Sequence, residues 1–270
     1  MTRPITFLTD FGLQDDFVGV CRGVMKRIAP DAEILDITHG IPPQHVLQGA
    51  LVLANTLAYM PAGVHVAVVD PTVGTDRRAI ALRGGDGRLF VGPDNGLLIP
   101  AVEKLGGIDG AWELLNEAYM LTPVSRTFHG RDIFSPAAAH LARGVHPSEL
   151  GPSLALDGLD RLHVPQAEAR PSLLHATILY VDRFGNIQLN LSRDHAVTAA
   201  IGAGMRIELQ LPLERYYALA TRTFADARAG ELILYEDSYG NLALAITGGD
   251  AAQMLQAKPG DEVTITPAPE

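Results

Sequence analysis

Carboxylates stand where two apolar runs of this chain stop, and these are the first positions at which it could do chemistry. Asp10 follows Ile5-Thr6-Phe7-Leu8-Thr9, with Asp15 and Asp16 just beyond. Asp70 follows Val64 to Val69 and opens the sharp turn Asp70-Pro71-Thr72-Val73-Gly74-Thr75-Asp76-Arg77-Arg78. Ligands of open α/β sheets bind beyond the carboxyl ends of strands, so acids placed there are candidates for ligand contact. Turn and helix-cap roles account for Asp10 and Asp16 equally well. Arg77 and Arg78 are adjacent and cannot both point one way in an extended segment. One is expected to fold back toward Asp70 and the other to face solvent. His129, in Thr127-Phe128-His129-Gly130-Arg131-Asp132, precedes a helix, and a lone histidine is more often structural or exposed.

A second set of candidates lies later in the chain. Val181-Asp182-Arg183-Phe184-Gly185-Asn186 is a turn between two β runs, and as a plain hairpin turn it needs no further role. Its acid, aromatic ring and amide also suit a nucleoside, through hydroxyl or amine contacts to Asp182, stacking on Phe184 and base-edge hydrogen bonds to Asn186. Phe224 and the turn Asp237-Ser238-Tyr239-Gly240 add loop aromatics. The nine histidines show no metal-ligand spacing, and neither a Gly-rich phosphate loop nor a Gly-x-Ser-x-Gly elbow is present.

These residues need elements to position them. The first part alternates β-like runs with helical periodicity: a strand over 5–9, a helix over 16–28, a strand over 33–37, a helix from Val46 to Ala58 and a strand over 64–69. That order implies a largely parallel sheet covered on both faces. A hairpin is expected around Gly84-Gly85-Asp86-Gly87, and a helix over 135–143 closes this part. Periodicity fades between Gly151 and Pro171, as in a linker. Short β runs then follow at 176–181, 186–191, 205–211, 231–236, 242–247 and 262–266, with one helix over 248–256. They suggest a small antiparallel barrel or sandwich. The fold class is therefore α/β, with domains expected at 1–165 and 172–270 and no internal repeat.

Composition limits the partners. Among 270 residues, 21 are basic and 31 acidic, for a net charge of −10. Such a balance argues against nucleic acid, whose phosphates call for clustered Lys and Arg. Cys21 is the only cysteine, which excludes an intrachain disulfide and a thiolate cluster, and its helical spacing marks it as a core thiol. No signal-type apolar run precedes Asp10, and the apolar stretch from Val46 to Val69 is broken by Asn55, Pro61, Gly63 and His65. A cytoplasmic protein with no membrane partner is expected.

Taken in order, the motifs are similar to those of the SAM hydroxide adenosyltransferases, or SAM hydrolases, relatives of the bacterial fluorinase. The resemblance runs nearly end to end. It rests on Thr9-Asp10-Phe11-Gly12, Pro42-Pro43-Gln44 through Gly49-Ala50, Val69-Asp70-Pro71 through Arg77, Pro93-Asp94-Asn95-Gly96-Leu97 and Phe128 to Asp132. Asp182 to Asn186 and Thr223-Phe224-Ala225-Asp226 complete it. It implies an N-terminal three-layer α/β domain with a largely parallel sheet, and a C-terminal antiparallel β-barrel-like domain. It also implies a homotrimer, with each active site between one subunit's N-terminal domain and its neighbour's C-terminal domain.

The resemblance further implies hydrolysis of S-adenosyl-L-methionine (SAM) to adenosine and methionine, with no cofactor and no metal. Its Asp-Arg-His triad falls on Asp70, Arg77 and His129. Asp10 matches the acid that holds the ribose hydroxyls. Asp182, Phe184 and Asn186 match residues around the methionine amine and adenine, and Phe224 matches an adenine-side aromatic. Departures from the fluorinase are Gln44 for its stacking tryptophan, Asp70 and Val73 on the nucleophile side, and a missing insertion after the Ala79–Arg83 strand. Tyr239 replaces an arginine near the methionine carboxylate, a contact that passes to Ser238 or to backbone. The alternatives are a halogenase, a SAM-binding sensor without turnover, and hydrolysis of a metal-bound substrate. The first is disfavoured by those departures, the second by the complete triad, and the third by the lack of suitably spaced histidines.

Overall fold

The computed structural model describes residues 2–211 and 214–269. Contacts divide the chain into two compact units, 1–163 and 164–270.

In the first unit β1 (Ile5–Thr9) leads through α1 (Phe17–Ile28) to β2 (Ile34–Thr38). α2 (Val46–Thr56) then leads to β3 (Val64–Val68), followed by the hairpin of β4 (Ala79–Gly84) and β5 (Leu89–Pro93). α3 (Ile99–Lys104), β6 (Ile108–Glu113) and α4 (Ser135–Ala142) complete it. The sheet order is β2-β1-β3-β5-β4-β6; β2, β1, β3 and β5 are parallel, and β4 runs antiparallel to both its neighbours. Alternate strand residues feed separate cores. Ile5, Phe7, Val66 and Val68 pack with α1 and α4, whereas Leu8, Ala67 and Val69 pack with α2 and α3. The sheet is thus the middle of three layers, as expected.

That layering fixes the position of a ligand. The chain leaves β1 over one face to reach β2, then crosses the other face to reach β3, on the far side of β1. The carboxyl ends of β1 and β3 therefore flank the point where the strand order reverses, the crevice in which open α/β sheets bind ligands. Thr9 pairs with Val68 in register, so Asp10 and Asp70 leave adjacent strands side by side.

In this unit one strand goes unread and one expectation fails. β6 escapes the sequence reading because Asp109 and Gly110 dilute its alternation, and Gly110 lies under the Trp112 ring. The expected linker is a strap over its first half: Leu154 donates to the Ala111 carbonyl, Asp160 N–H to Asp94, and Leu159 is buried.

The second unit holds β7 (Glu168–Arg170), β8 (Leu173–Val181), β9 (Ile187–Ser192), α5 (Arg193–Thr198) and β10 (Arg206–Gln210). β11 (Arg215–Ala220), β12 (Leu232–Glu236), β13 (Asn241–Ile246), α6 (Ala251–Leu255) and β14 (Glu262–Pro267) follow. Pairing in the order β14-β10-β11-β12-β13-β9-β8 closes through β8 and β14 into a seven-stranded barrel, to which β7 adds along β8. The inward residues, among them Leu174, Ile187, Leu209, Leu244 and Ile265, form its core. Every pair is antiparallel except β11 with β12. A parallel pair needs a crossover, and residues 221–231 supply it, carrying Phe224.

Among the described residues no helix is long and apolar enough to cross a membrane.

Candidate active site

The turn that begins at Asp70 is built to carry Arg77 back over it. Val73 N–H reaches the Asp70 carbonyl, Thr75 donates through both N–H and Oγ1 to the Thr72 carbonyl, and Arg77 N–H donates to Thr75 Oγ1. Gly74 is required twice: its φ is +80°, and a Cβ there would collide with the carbonyl oxygen of Arg126. The close approach brings the loop before His129 against the Asp70 turn. Asn95 closes the strand end from the other side, donating to the Val69 carbonyl at 2.9 Å.

Asp70, Arg77 and His129 meet as a consequence. Arg77 grips Asp70 bidentately, Nε to Oδ1 at 3.2 Å and Nη2 to Oδ2 at 2.5 Å, and both side chains are nearly inaccessible to solvent. Its guanidinium lies 5.5 Å from the Phe134 ring centroid, and Nη1 donates to the Arg78 carbonyl. Nη2 also lies 3.0 Å from His129 Nδ1. Guanidinium nitrogens only donate, so Nδ1 must be the acceptor and the imidazole carries its proton on Nε2. Burial, then the charge of Arg77, pulls the His129 pKa below its ordinary value, which favours the neutral ring that the Arg77 contact requires. His129 leads into a single π-helical turn, Gly130–Phe134, continuous with α4, a distortion common at functional sites.

Arg78 does not face solvent as expected. Buried Asp94 attracts it, with Nε and Nη2 at 2.8 and 2.5 Å from Oδ2, and Asp94 also caps the Asp160 amide.

Asp10 joins this group. Its Oδ2 accepts from the Gln44 N–H at 2.9 Å, and Gln44 holds the left-handed φ of +68°, unusual for a residue with a side chain. Burial raises the pKa of Asp10; the Gln44 amide opposes that shift, and the negative charge of Asp70 adds to it. Beside it, Phe11, Phe17 and Phe128 pack edge to face with centroids 5.3–6.1 Å apart. Cys21 is a buried core thiol, its pKa pushed up to about 11 chiefly by burial.

In the second unit the remaining candidates sit on two turns of one design. In Asp182-Arg183-Phe184-Gly185-Asn186, Asp182 Oδ1 accepts the N–H groups of Phe184 and Asn186 at 2.8 and 2.9 Å. In Asp237-Ser238-Tyr239-Gly240-Asn241, Asp237 Oδ1 accepts those of Tyr239 and Asn241, both at 2.8 Å. Gly185 and Gly240 take φ of +79° and +84°, and each turn lifts an aromatic ring, Phe184 or Tyr239, into solvent. This shared Asp-x-aromatic-Gly-Asn pattern is a short internal repeat that the sequence reading overlooked. Asp182 is partly occupied by its own turn, since Oδ2 also accepts from Asn186 Nδ2 at 2.8 Å. A carboxylate offers roughly four lone pairs, so Oδ2 keeps one for a ligand.

Two tyrosines that the sequence did not single out link these turns. Tyr235, Ala243, Gln188 and Tyr180 lie opposite one another across β12, β13, β9 and β8. Burial pushes the pKa of each tyrosine up to about 12, with further contributions from both Asp182 and Asp237. Phe224 packs against Tyr235 with centroids 4.8 Å apart and ring planes tilted by 52°.

Comparison with known proteins assigns the chain. The SAM hydroxide adenosyltransferase N-terminal domain matches residues 5–151, and the corresponding C-terminal domain matches 176–264. The chain belongs to the SAM hydroxide adenosyltransferase family. The (R)-S-adenosyl-L-methionine hydrolase of Salinispora arenicola is 47% identical over 98% of both chains. A fluorinase of an Actinoplanes species is 31% identical, covering 98% of this chain and 97% of its own. The crystal structure of an uncharacterized conserved protein from Thermotoga maritima superposes with a TM-score of 0.89 at 36% identity, covering 97% of this chain and 99% of that one. Resemblance read from motifs alone and similarity over the whole length thus select the same family.

Proposed function

We propose that this enzyme hydrolyses S-adenosyl-L-methionine to adenosine and L-methionine, and that it takes the (R)-sulfonium epimer named in its hydrolase relatives. The observation that carries the reading is the hydrogen-bonded Asp70–Arg77–His129 set, half-buried at the crevice between β1 and β3, in a chain 47% identical to such a hydrolase.

Water attacks ribose C5′ in line with the C5′–S bond; a C–O bond forms, the C–S bond breaks, and its electron pair leaves on a neutral thioether. No acid is needed for that leaving group. The site must hold one water in line and receive one proton. Asp70 keeps lone pairs beyond those that Arg77 occupies and accepts the water's hydrogen. His129 has its Nδ1 lone pair engaged by Arg77, so it orients the water by donating from Nε2–H. The proton passes through Asp70 to solvent.

Asp10 is assigned to the ribose hydroxyls. Asp182, Phe184, Asn186, Phe224, Ser238 and Tyr239 are assigned to adenine and the methionine arm. A carboxylate on the nucleophile side repels anions, which favours hydrolysis over halogenation. We further assign a cytoplasmic homotrimer that takes SAM as its small-molecule partner and needs no cofactor or metal.

The test is incubation of chelator-treated enzyme with each sulfonium epimer, followed by chromatography. Equal amounts of adenosine and methionine, formed faster from the (R) epimer, are expected. Methylthioadenosine as the main product, or activity lost with the chelated ions, overturns the reading.

A further inference from the structure

Asp10 stands on a turn that is held by residues the proposed chemistry does not use. β1 and β2 pair in register from Ile5 with Ile34 to Phe7 with Asp36, then slip, so that Leu8 lies opposite Thr38 and Ile37 has no partner. A bulge of this kind re-aims the side chains around it. Just past it, His39 Nδ1 lies 2.8 Å from Thr9 Oγ1, and that same oxygen accepts the Phe11 N–H at 3.1 Å. The His39 carbonyl accepts the Gly12 N–H at 2.8 Å. His39 therefore ties down the turn around Asp10 at both ends, through Thr9 to Phe11 and directly to Gly12.

Proton positions follow from the partners. Thr9 and His39 are buried, so their polar atoms need partners. Asp36 Oδ1 is 3.3 Å from His39 Nε2, off the line of a hydrogen bond but close enough to keep the ring proton on that nitrogen. Nδ1 then accepts the Thr9 hydroxyl hydrogen, leaving the hydroxyl's lone pair to the Phe11 amide. Arg22 Nε in turn holds Asp36 Oδ1 at 3.1 Å. Thr9, His39 and Asp36 are the residue types of a hydrolytic triad. Thr9, however, is fully buried with its oxygen engaged by an amide, so it does not attack substrate.

We propose that Asp36, His39 and Thr9 form a positioning relay that fixes the Asp10 carboxylate for the substrate's hydroxyls, an inference that rests on the ribose-binding role assigned to Asp10. Thr9→Val keeps the shape and removes the hydroxyl, Thr9→Ser restores it, and Asp10→Ala removes the group being positioned. SAM affinity by calorimetry and turnover at saturation are measured for each variant and for Thr9→Val/Asp10→Ala.

Thr9→Val should weaken binding roughly 3- to 12-fold, the size of one hydrogen bond, with turnover at saturation nearly unchanged. Thr9→Ser should recover most of that affinity, and in the Asp10→Ala background Thr9→Val should cost nothing further. The same penalty in both backgrounds, or lost turnover with intact affinity, overturns the relay. A wild-type enzyme that neither binds nor cleaves either epimer overturns the role of Asp10 and the relay with it. Normal wild-type binding with an unaffected Thr9→Val overturns the relay alone.

Discussion

Arg77 Nη2 donates to His129 Nδ1 at 3.0 Å while the same guanidinium grips Asp70. One cation thereby sets the tautomer of the histidine and the orientation of the carboxylate. The histidine pKa lies below its ordinary 6.5, because burial and Arg77 both disfavour the imidazolium. Acid should therefore switch the site off at a pH under 6.5, when Nδ1 gains a proton and turns its charge against Arg77. His129→Asn offers an oxygen near the place of Nδ1 but has neither an ionisable ring nor the Nε2–H. Turnover at saturation should fall about 3- to 12-fold, the size of the one hydrogen bond to the attacking water, and the histidine's part of the acid limb should vanish. A pH–rate profile that keeps an unchanged acid limb in His129→Asn would remove His129 from the titrating machinery.

The two carboxylates at the crevice are assigned opposite duties, and steady-state titration beside calorimetry separates them. Asp70→Asn keeps the shape but removes charge and basicity, so hydrolysis should drop by about 10²- to 10⁴-fold with SAM affinity little changed. Asp10→Ala should mainly weaken binding. An Asp70→Asn enzyme that binds poorly yet turns over normally at saturation would make Asp70 a substrate ligand, and the mechanism would be wrong.

Buried histidines give the fold a pH dependence of its own. His65 is fully buried, with Nδ1 2.8 Å from Thr6 Oγ1, and burial followed by the charge of Arg88 lowers its pKa to about 3. His39 is lowered to about 4 by burial and then by Arg22. Unfolding releases both rings to titrate near 6.5. Below that pH the unfolded chain takes up protons that the native one refuses, so this stability is complete above 6.5. It declines as pH falls toward about 4 for His39 and about 3 for His65. For His65 alone the loss between pH 6.5 and 4.5 should be roughly 2–3 kcal/mol. Urea midpoints across that range measure it, and ring NMR should find His65 still neutral at pH 5. A His65 ring that titrates near 6 in the native state contradicts the account.

How much of this was legible in the sequence depends on how local each signal is. The layered sheet could be read because Ile5 to Thr9 and Val64 to Val69 are apolar runs separated by amphipathic helices, and the turn residues around Gly85 mark their own hairpin. β11 was missed because Ala218, Leu219 and Ala220 suit a helix as well as a strand, and only the barrel interior selects Tyr216, Ala218 and Ala220 as its inward face. The Asp70–Arg77 pair could be foreseen as a side chain folding back along a short turn. The approach of His129 came only from the family resemblance and from no local signal, because it depends on Gly74 packing against Arg126, a contact between distant segments. The Thr9–His39 relay is hidden for the same reason: a strand bulge, which no residue type announces, makes it.

Assembly supplies the last prediction. The family resemblance places each active site across two subunits of a trimer, and here the assigned residues divide cleanly in sequence, Asp10, Asp70, Arg77 and His129 before 130, and Asp182 to Tyr239 after 180. Light scattering should report a trimer or a multiple of one. Mixing tests the sharing directly. An Asp70→Ala chain keeps an intact second unit, and an Asn186→Ala chain keeps an intact first unit, so neither works alone. In a closed ring each site draws its first unit from one subunit and its second from a neighbour. After equal mixing and full exchange, a site is complete only when an Asn186→Ala chain precedes an Asp70→Ala chain, which random order yields about one time in four. Adenosine release should therefore rise from near zero to roughly a quarter of the wild-type rate. Exchange must be proven independently, by mass spectrometry of differently tagged chains. If exchange is complete and activity stays at the level of the separate variants, each site lies within one chain, and the shared-site assembly is wrong.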